Sequence, residues 1–203
     1  MPLRLESIRA DRIDDVISVL CEAFRAYPVM EHVIGPGPED RDRRLSELVR
    51  FFVMRSARQD GPILGVVDSG SLVAVATVTF PAEPDVHPGS DSDGDRLWRA
   101  LGDDARGRYE TYKSACRPLE VDRRHHHLNM FGVRDSYRGR GTARLLLDAV
   151  RTLSEHDDSS NGVGLTTELP RNVALYQHFG YEIVGHTRVT PTLESWSCFL
   201  PTT

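Results

Sequence analysis

The chain has 203 residues, 39% of them hydrophobic, and a formal charge of −5. That is enough for one good core and short for two, so a single domain over 1–203 is expected, and the acidic balance offers no global attraction to nucleic acid or an anionic membrane. The start Met1-Pro2-Leu3-Arg4-Leu5-Glu6 lacks the apolar stretch of a signal peptide, and no run approaches the ~20 apolar residues that span a bilayer.

Cys21, Cys116 and Cys198 are far apart and odd in number, without a Cys-x-x-Cys pair. A reducing cytoplasm is the expected location. Lys113 is the only lysine, which leaves almost none for Schiff-base chemistry.

Leu3 and Leu5 suggest a first strand, after which Asp11 can cap a helix carrying Ile13, Val16, Ile17, Leu20, Ala23 and Phe24 at helical spacing. Pro28 closes that helix. Residues 29–34 run into the turn Gly35-Pro36-Gly37-Pro38, and a second helix is expected from Glu39 to Ala57. Ile63–Val67 and Leu72–Phe80 read as strands joined by Asp68-Ser69-Gly70-Ser71, a hairpin. Pro81–Asp95, rich in Pro, Gly, Ser and Asp, reads as an exposed loop, followed by one or two short helices. The whole segment 81–124 is longer than an ordinary connection and is expected to be an insertion or lid.

His125–Val133 is the expected central strand. Gly139–Glu155 follows as a helix, then a loop at Asp157–Gly162, a strand at Val163–Thr167, a helix at Arg171–Phe179, and strands at Tyr181–Thr187 and near Leu193–Leu200. Alternating strands and helices with short connections argue an α/β layer fold.

The junction Val133-Arg134-Asp135-Ser136-Tyr137-Arg138-Gly139-Arg140-Gly141-Thr142-Ala143 is the most informative stretch. The first amides of a helix lack partners inside it, so a glycine-containing turn before a helix can aim several N–H groups at a phosphate. Gly141 is followed by Thr142 with no lysine, so a Walker A loop fails, and Arg144 stands where a dinucleotide fingerprint needs its third glycine.

Arg138-x-x-Gly141-x-Ala143 resembles the acyl-CoA pyrophosphate loop of the GNAT N-acetyltransferase superfamily. The block Asn172-Val173-Ala174-Leu175-Tyr176-Gln177-His178-Phe179-Gly180-Tyr181 resembles a later helix of the same superfamily, with Tyr181 where phenylalanine is commoner. Together with the strand before the first, the two blocks cover about His125 to Gly185. The resemblance implies a mixed, strongly twisted central sheet of about seven strands with helices on both faces, whose fourth and fifth strands splay to admit the pantetheine arm. It implies acetyl-CoA as acyl donor, bound by main chain near Phe131 and Val133, by the loop Arg138, Gly139, Arg140, Gly141, Thr142 and Ala143, and by Asn172.

By the same resemblance Tyr176 would protonate the departing CoA thiolate; the plainer alternative is a core aromatic. Asn172 is alternatively a simple N-cap. On strict strand alternation His127, Asn129, Phe131 and Val133 share one face, which by resemblance looks into the acceptor groove. His127, with an ordinary pKa of about 6.5, can then take the amine's proton directly or through water; the alternative is a satisfied strand histidine. Asn129 and Glu31 are candidate acceptor contacts, Glu31 being otherwise solvated helix charge. His125-His126-His127 advertises no metal site, since alternate residues diverge and no further ligand spacing appears.

The expected function is transfer of an acetyl group from acetyl-CoA to a primary amine, of a small molecule rather than a peptide, by direct attack in a ternary complex. The alternatives are a peptide or protein acetylase and a non-catalytic CoA-binding sensor. No nucleic-acid, membrane or metal partner is expected, and the chain is expected to be a monomer or homodimer.

Overall fold

A computed structural model describes residues 3–37, 39–58, 61–80 and 92–202. Its elements run β1 (Arg4–Ser7), α1 (Ile13–Phe24), α2 (Pro28–Ile34), α3 (Arg41–Arg58), β2 (Ile63–Asp68), β3 (Ser71–Thr79), α4 (Ser92–Leu101) and α5 (Asp103–Cys116). They continue with β4 (His126–Val133), α6 (Thr142–Glu155), β5 (Gly162–Thr167), α7 (Pro170–His178), β6 (Glu182–Thr190) and β7 (Leu193–Pro201). The strands form one mixed, twisted seven-stranded sheet in the order β1-β2-β3-β4-β5-β7-β6, in which only β4 and β5 pair in parallel.

Helices cover both faces. Val16, Val19 and Leu20 of α1 and Leu45, Leu48 and Val49 of α3 are buried in a core on one side. Leu146, Leu147 and Val150 of α6 bury into a second core on the other. Helices α4 and α5 add Leu97, Trp98, Leu101 and Ala105 to the first core, so 97–105 packs with the N-terminal helices.

Several expected boundaries move for local reasons. Pro28 opens α2 instead of merely closing α1, because its missing N–H costs nothing at a first helical position. Asp11 lies in a one-turn 3-10 helix before α1 and makes no side-chain cap. Helix α6 begins at Thr142 rather than Gly139, because Gly139 (φ 73°) and Gly141 (φ 78°) both adopt the left-handed conformation. The expected loop over Pro81–Asp95 already turns helical at Ser92; its residues 81–91 lie outside those described.

The largest departure lies in β4. Its register to β3 pairs Met130 with Thr77 and Leu128 with Val78, leaving Asn129 as the extra residue of a β-bulge. Before the bulge, Leu128 packs into the α6-side core; after it, Met130 packs into the α1-side core. Strict alternation therefore breaks at Asn129. Val133 packs toward the α6 side, as does Phe131, which also reaches the cavity that His127 lines with residues of α2 and α3.

His126, fully buried, is held in the α6-side core by the Ser160 hydroxyl, 3.1 Å from its Nδ1, with Asp157 Oδ2 3.5 Å from Nε2.

Candidate active site

Strand β4 keeps its parallel pairing to β5 only at His126↔Val163 and His127↔Gly164. Beyond that point the two strands part. A groove of about 530 Å³ fills the opening, lined by Phe131, Gly132 and Val133 on β4 and by Asn172, Leu175 and Tyr176 on α7. Its outer end is the loop before α6, with Arg138, Gly139, Gly141, Ala143 and Arg144 on its wall. Gly141 is the N-cap residue of α6, so the first turn of a 14-residue helix presents its amides at the groove. A side-chain carbon added at Gly139 or Gly141 would meet no atom within 4 Å, so the loop faces open space there. This geometry suits a pyrophosphate.

The arginines divide by role. Arg138, Arg144 and Arg171 line the groove. Arg138 also pairs with Asp135 at 2.8 Å, and Arg144 lies 5.0 Å over the Phe179 ring. Arg140 sits 5.3 Å over Tyr137 and is not part of the groove wall. Thr142 turns its hydroxyl inward to donate to the Tyr137 carbonyl at 3.2 Å, leaving only its main chain to face a ligand.

A second cavity of about 360 Å³ lies on the other side of the same junction, under α2, α3 and α5. Phe24, Tyr27, Phe131, Asn172 and Tyr176 line both spaces, so the two meet at Tyr176. Tyr176 is 6% exposed; burial, and then the neighbouring Tyr27, push its pKa well above the ordinary value, so its phenol stays protonated. His127 and Asn129 line the second cavity. Asn129 donates to the His127 carbonyl at 3.1 Å and to Thr79 Oγ1 at 3.4 Å.

A domain model described as an acetyltransferase (GNAT) domain matches residues 118–194. Residues 118–194 are thus similar to a GNAT acetyltransferase domain. The match is to an acetyltransferase domain and supports acetyl-CoA as the acyl donor. Three solved structures share the fold. An acetyltransferase from Corynebacterium glutamicum, described as histone acetyltransferase HPA2 and related, has a TM-score of 0.74 at 21% identity, covering 100% of this chain and 98% of that one. A polyamine N-acetyltransferase of Drosophila melanogaster gives 0.59 at 18%, covering 98% of each chain. The ribosomal-protein-S18-alanine N-acetyltransferase of Escherichia coli gives 0.56 at 11%, covering 100% of this chain and 95% of that one. No curated protein sequence matches. These proteins are named for different acceptors, so the shared fold selects none.

The structure gathers most of the expected residues at the junction and leaves some outside. Glu31 is not in the cavity; it faces solvent on α2 and pairs with Arg41 at 2.9 Å, because the inward positions of that short helix are the apolar Met30, Val33 and Ile34. Asn172 is not an N-cap, since Leu169 occupies that position; its Nδ2 donates to Thr167 Oγ1 at 3.2 Å. Trp98 is core, 5.1 Å from Tyr109, and only Tyr109 reaches the cavity. Among the described residues no cluster of His, Cys, Asp or Glu could hold a metal ion, and no helix is long and apolar enough to cross a membrane.

The carboxylate that does line the second cavity is Glu168, just after the end of β5. It is 6% exposed and accepts from Tyr112 at 2.7 Å and Ser195 at 2.9 Å. Its position after the last residue of a strand and before a helix-opening proline is where α/β folds set ligand groups. That was the signal available in the sequence.

His127 differs from its expected chemistry. Burial, and then His125 beside it, lower its pKa from 6.5 to about 4. Between those values the unfolded chain binds the proton and the folded chain does not, so this contribution to stability is whole above pH 6.5 and lost as pH falls toward about 4. His127→Asn should therefore show a shallower loss of thermal stability than wild type from pH 6.5 to 4.5, by calorimetric melts. Its rate relative to wild type should stay constant from pH 6 to 9, whereas a ratio changing around pH 6.5 would show that His127 titrates there.

Proposed function

We infer that the protein transfers an acetyl group from acetyl-CoA to the primary amine of a small molecule, in a ternary complex without an acyl-enzyme. The observation that carries this reading is the meeting of the glycine-arginine groove and the second cavity at Tyr176. The donor lies along the splayed strands with its pyrophosphate at the amides of Gly139 to Ala143, aided by Arg138 and with Arg140 toward the outer phosphate. Main chain near Phe131 and Val133 and the Asn172 side chain hold the pantetheine arm, placing the thioester at the junction.

The amine enters from the second cavity and attacks the carbonyl carbon. Main-chain N–H on β4 polarises the carbonyl, and the C–S bond breaks as Tyr176 gives its proton to sulfur. Two groups in the cavity can receive a proton from the nitrogen, His127 and Glu168. A volume of about 360 Å³ falls within the range of about 300–1,000 Å³ usual for small-molecule sites, and α2, α3 and α5 stand where a peptide would need an open path. Unpaired Cys21, Cys116 and Cys198 fit action in a reducing cytoplasm.

A thiol-release assay with acetyl-CoA against small amines, amino acids and peptides with free N-termini tests this choice. Transfer to small amines is expected to exceed transfer to peptides. Efficient transfer to peptides alone would overturn the small-molecule assignment, and CoA binding without transfer to any amine would favour a sensor.

A further inference from the structure

Glu168 has surroundings that a merely structural carboxylate does not need. Two hydroxyls donate to its carboxylate, Tyr112 of α5 and Ser195 of β7, and a third, that of Tyr27 between α1 and α2, lies beside it. The Tyr27 hydroxyl also accepts from the Glu168 amide at 3.2 Å and bonds Thr167 Oγ1 at 2.9 Å, locking the end of β5 against the helical layer. Among the described residues no Arg, Lys or His forms an ion pair with Glu168. A buried carboxylate held by neutral donors and open to a cavity is strongly biased toward a cation.

We propose that Glu168 receives the acceptor's ammonium group and takes its proton, and that the acceptor is a monoamine on an apolar body. This rests on the N-acetyltransferase reading above. The protons balance as follows. R–NH₃⁺ gives one proton to the Glu168 carboxylate, and the free amine forms the C–N bond. The adduct nitrogen then returns a second proton to Tyr176, which has protonated the departing thiolate. Glu168 releases its proton to water when product leaves, so one proton appears in solution per acetyl group transferred.

The other titratable groups facing Glu168 are Tyr27, Tyr112, Cys116 and Tyr176, each kept neutral by burial that raises its pKa. Burial also raises Glu168 itself, opposed by the Tyr112, Ser195 and Tyr27 hydroxyls, which moves it toward neutral pH where a base works best. His127, lowered to about 4, is the weaker base. The class of acceptor follows from the walls. Phe24, Met30, Val33, Leu48 and Phe52 are apolar, and the cationic side chain among the lining residues is Arg55, which engages Tyr109. One carboxylate satisfies one ammonium; a second ammonium on the same molecule would face Arg55.

The test uses the full chain with phenethylamine and putrescine. Wild type should acetylate phenethylamine with a kcat/KM at least about tenfold above that for putrescine, and with an acid limb set by a group on the enzyme. In Glu168→Gln, acetyl-CoA affinity by calorimetry should be unchanged and kcat/KM for phenethylamine at pH 7 should fall about 100-fold or more. Its profile should lose that limb and climb with unit slope toward the amine's own pKa near about 10. Glu168→Asp should recover part of the activity and the limb. Tyr112→Phe removes a donor that stabilises the ionised carboxylate, so its limb should move to higher pH. Wild type that acetylates phenethylamine, with limbs unmoved in Glu168→Gln and Tyr112→Phe, overturns the role of Glu168 and leaves the acetyltransferase reading standing. Wild type that binds acetyl-CoA but acetylates no amine overturns both, and a preference for putrescine overturns the monoamine assignment.

Discussion

Gly141→Asp should abolish measurable acetyl-CoA binding while leaving a folded protein. At φ 78° any L-side chain strains the backbone by roughly 1–2 kcal/mol, which lowers Tm by a few degrees in a chain of this size. No protein atom lies within 4 Å of the new Cβ, so the fold itself raises no clash. The carboxylate instead enters the space assigned to the pyrophosphate, at the helix end that favours anions, and replaces attraction with repulsion. An affinity loss of about 100-fold or more is expected by calorimetry. Gly70→Asp is the matched control: Gly70 is also left-handed (φ 86°) with open space around it, but it lies in the β2–β3 turn. It should cost similar stability and leave acetyl-CoA affinity unchanged. Equal effects of the two substitutions on affinity would remove the loop from the donor site.

Tyr176→Phe should lower kcat by about 10–1000-fold with little change in the KM for acetyl-CoA. The ring packs against Tyr181 at 5.5 Å and is buried, so phenylalanine keeps the packing and removes only the hydroxyl. Burial holds that hydroxyl protonated far above neutral pH, so wild type and variant should have parallel pH profiles over pH 6–9 rather than differ by an alkaline limb. Rapid-quench measurement of the chemical step separates this from product release. Unchanged chemistry in the variant would reduce Tyr176 to a core aromatic.

The donor side was legible because its signals are local. Gly139 and Gly141 announce a turn, the leucines after them announce a helix, and both lie within a few residues of the strand they follow. What the letters concealed was conformation: two left-handed glycines push the start of α6 to Thr142. The bulge at Asn129 was equally hidden, because period-two alternation carries no mark of an inserted residue, and it turns Val133 away from the cavity that His127, Asn129 and Phe131 line. The second cavity depends on distant partners. Glu168 acquires its meaning from Tyr112, 56 residues earlier, and Ser195, 27 residues later. Glu31 attracted notice as an acid near the first helices, but only α2, itself begun by Pro28, decides that it points to Arg41 and solvent.

Direct transfer at the junction of the two cavities is tested most directly by initial-rate kinetics with acetyl-CoA and phenethylamine both varied, followed by thiol release and by the mass of the product. Thiol release is expected only when amine is present, with one N-acetylated amine formed per thiol and with intersecting double-reciprocal lines that report a ternary complex. Parallel lines with thiol released before amine is added, or no amine-dependent release from a protein that binds acetyl-CoA, would contradict it.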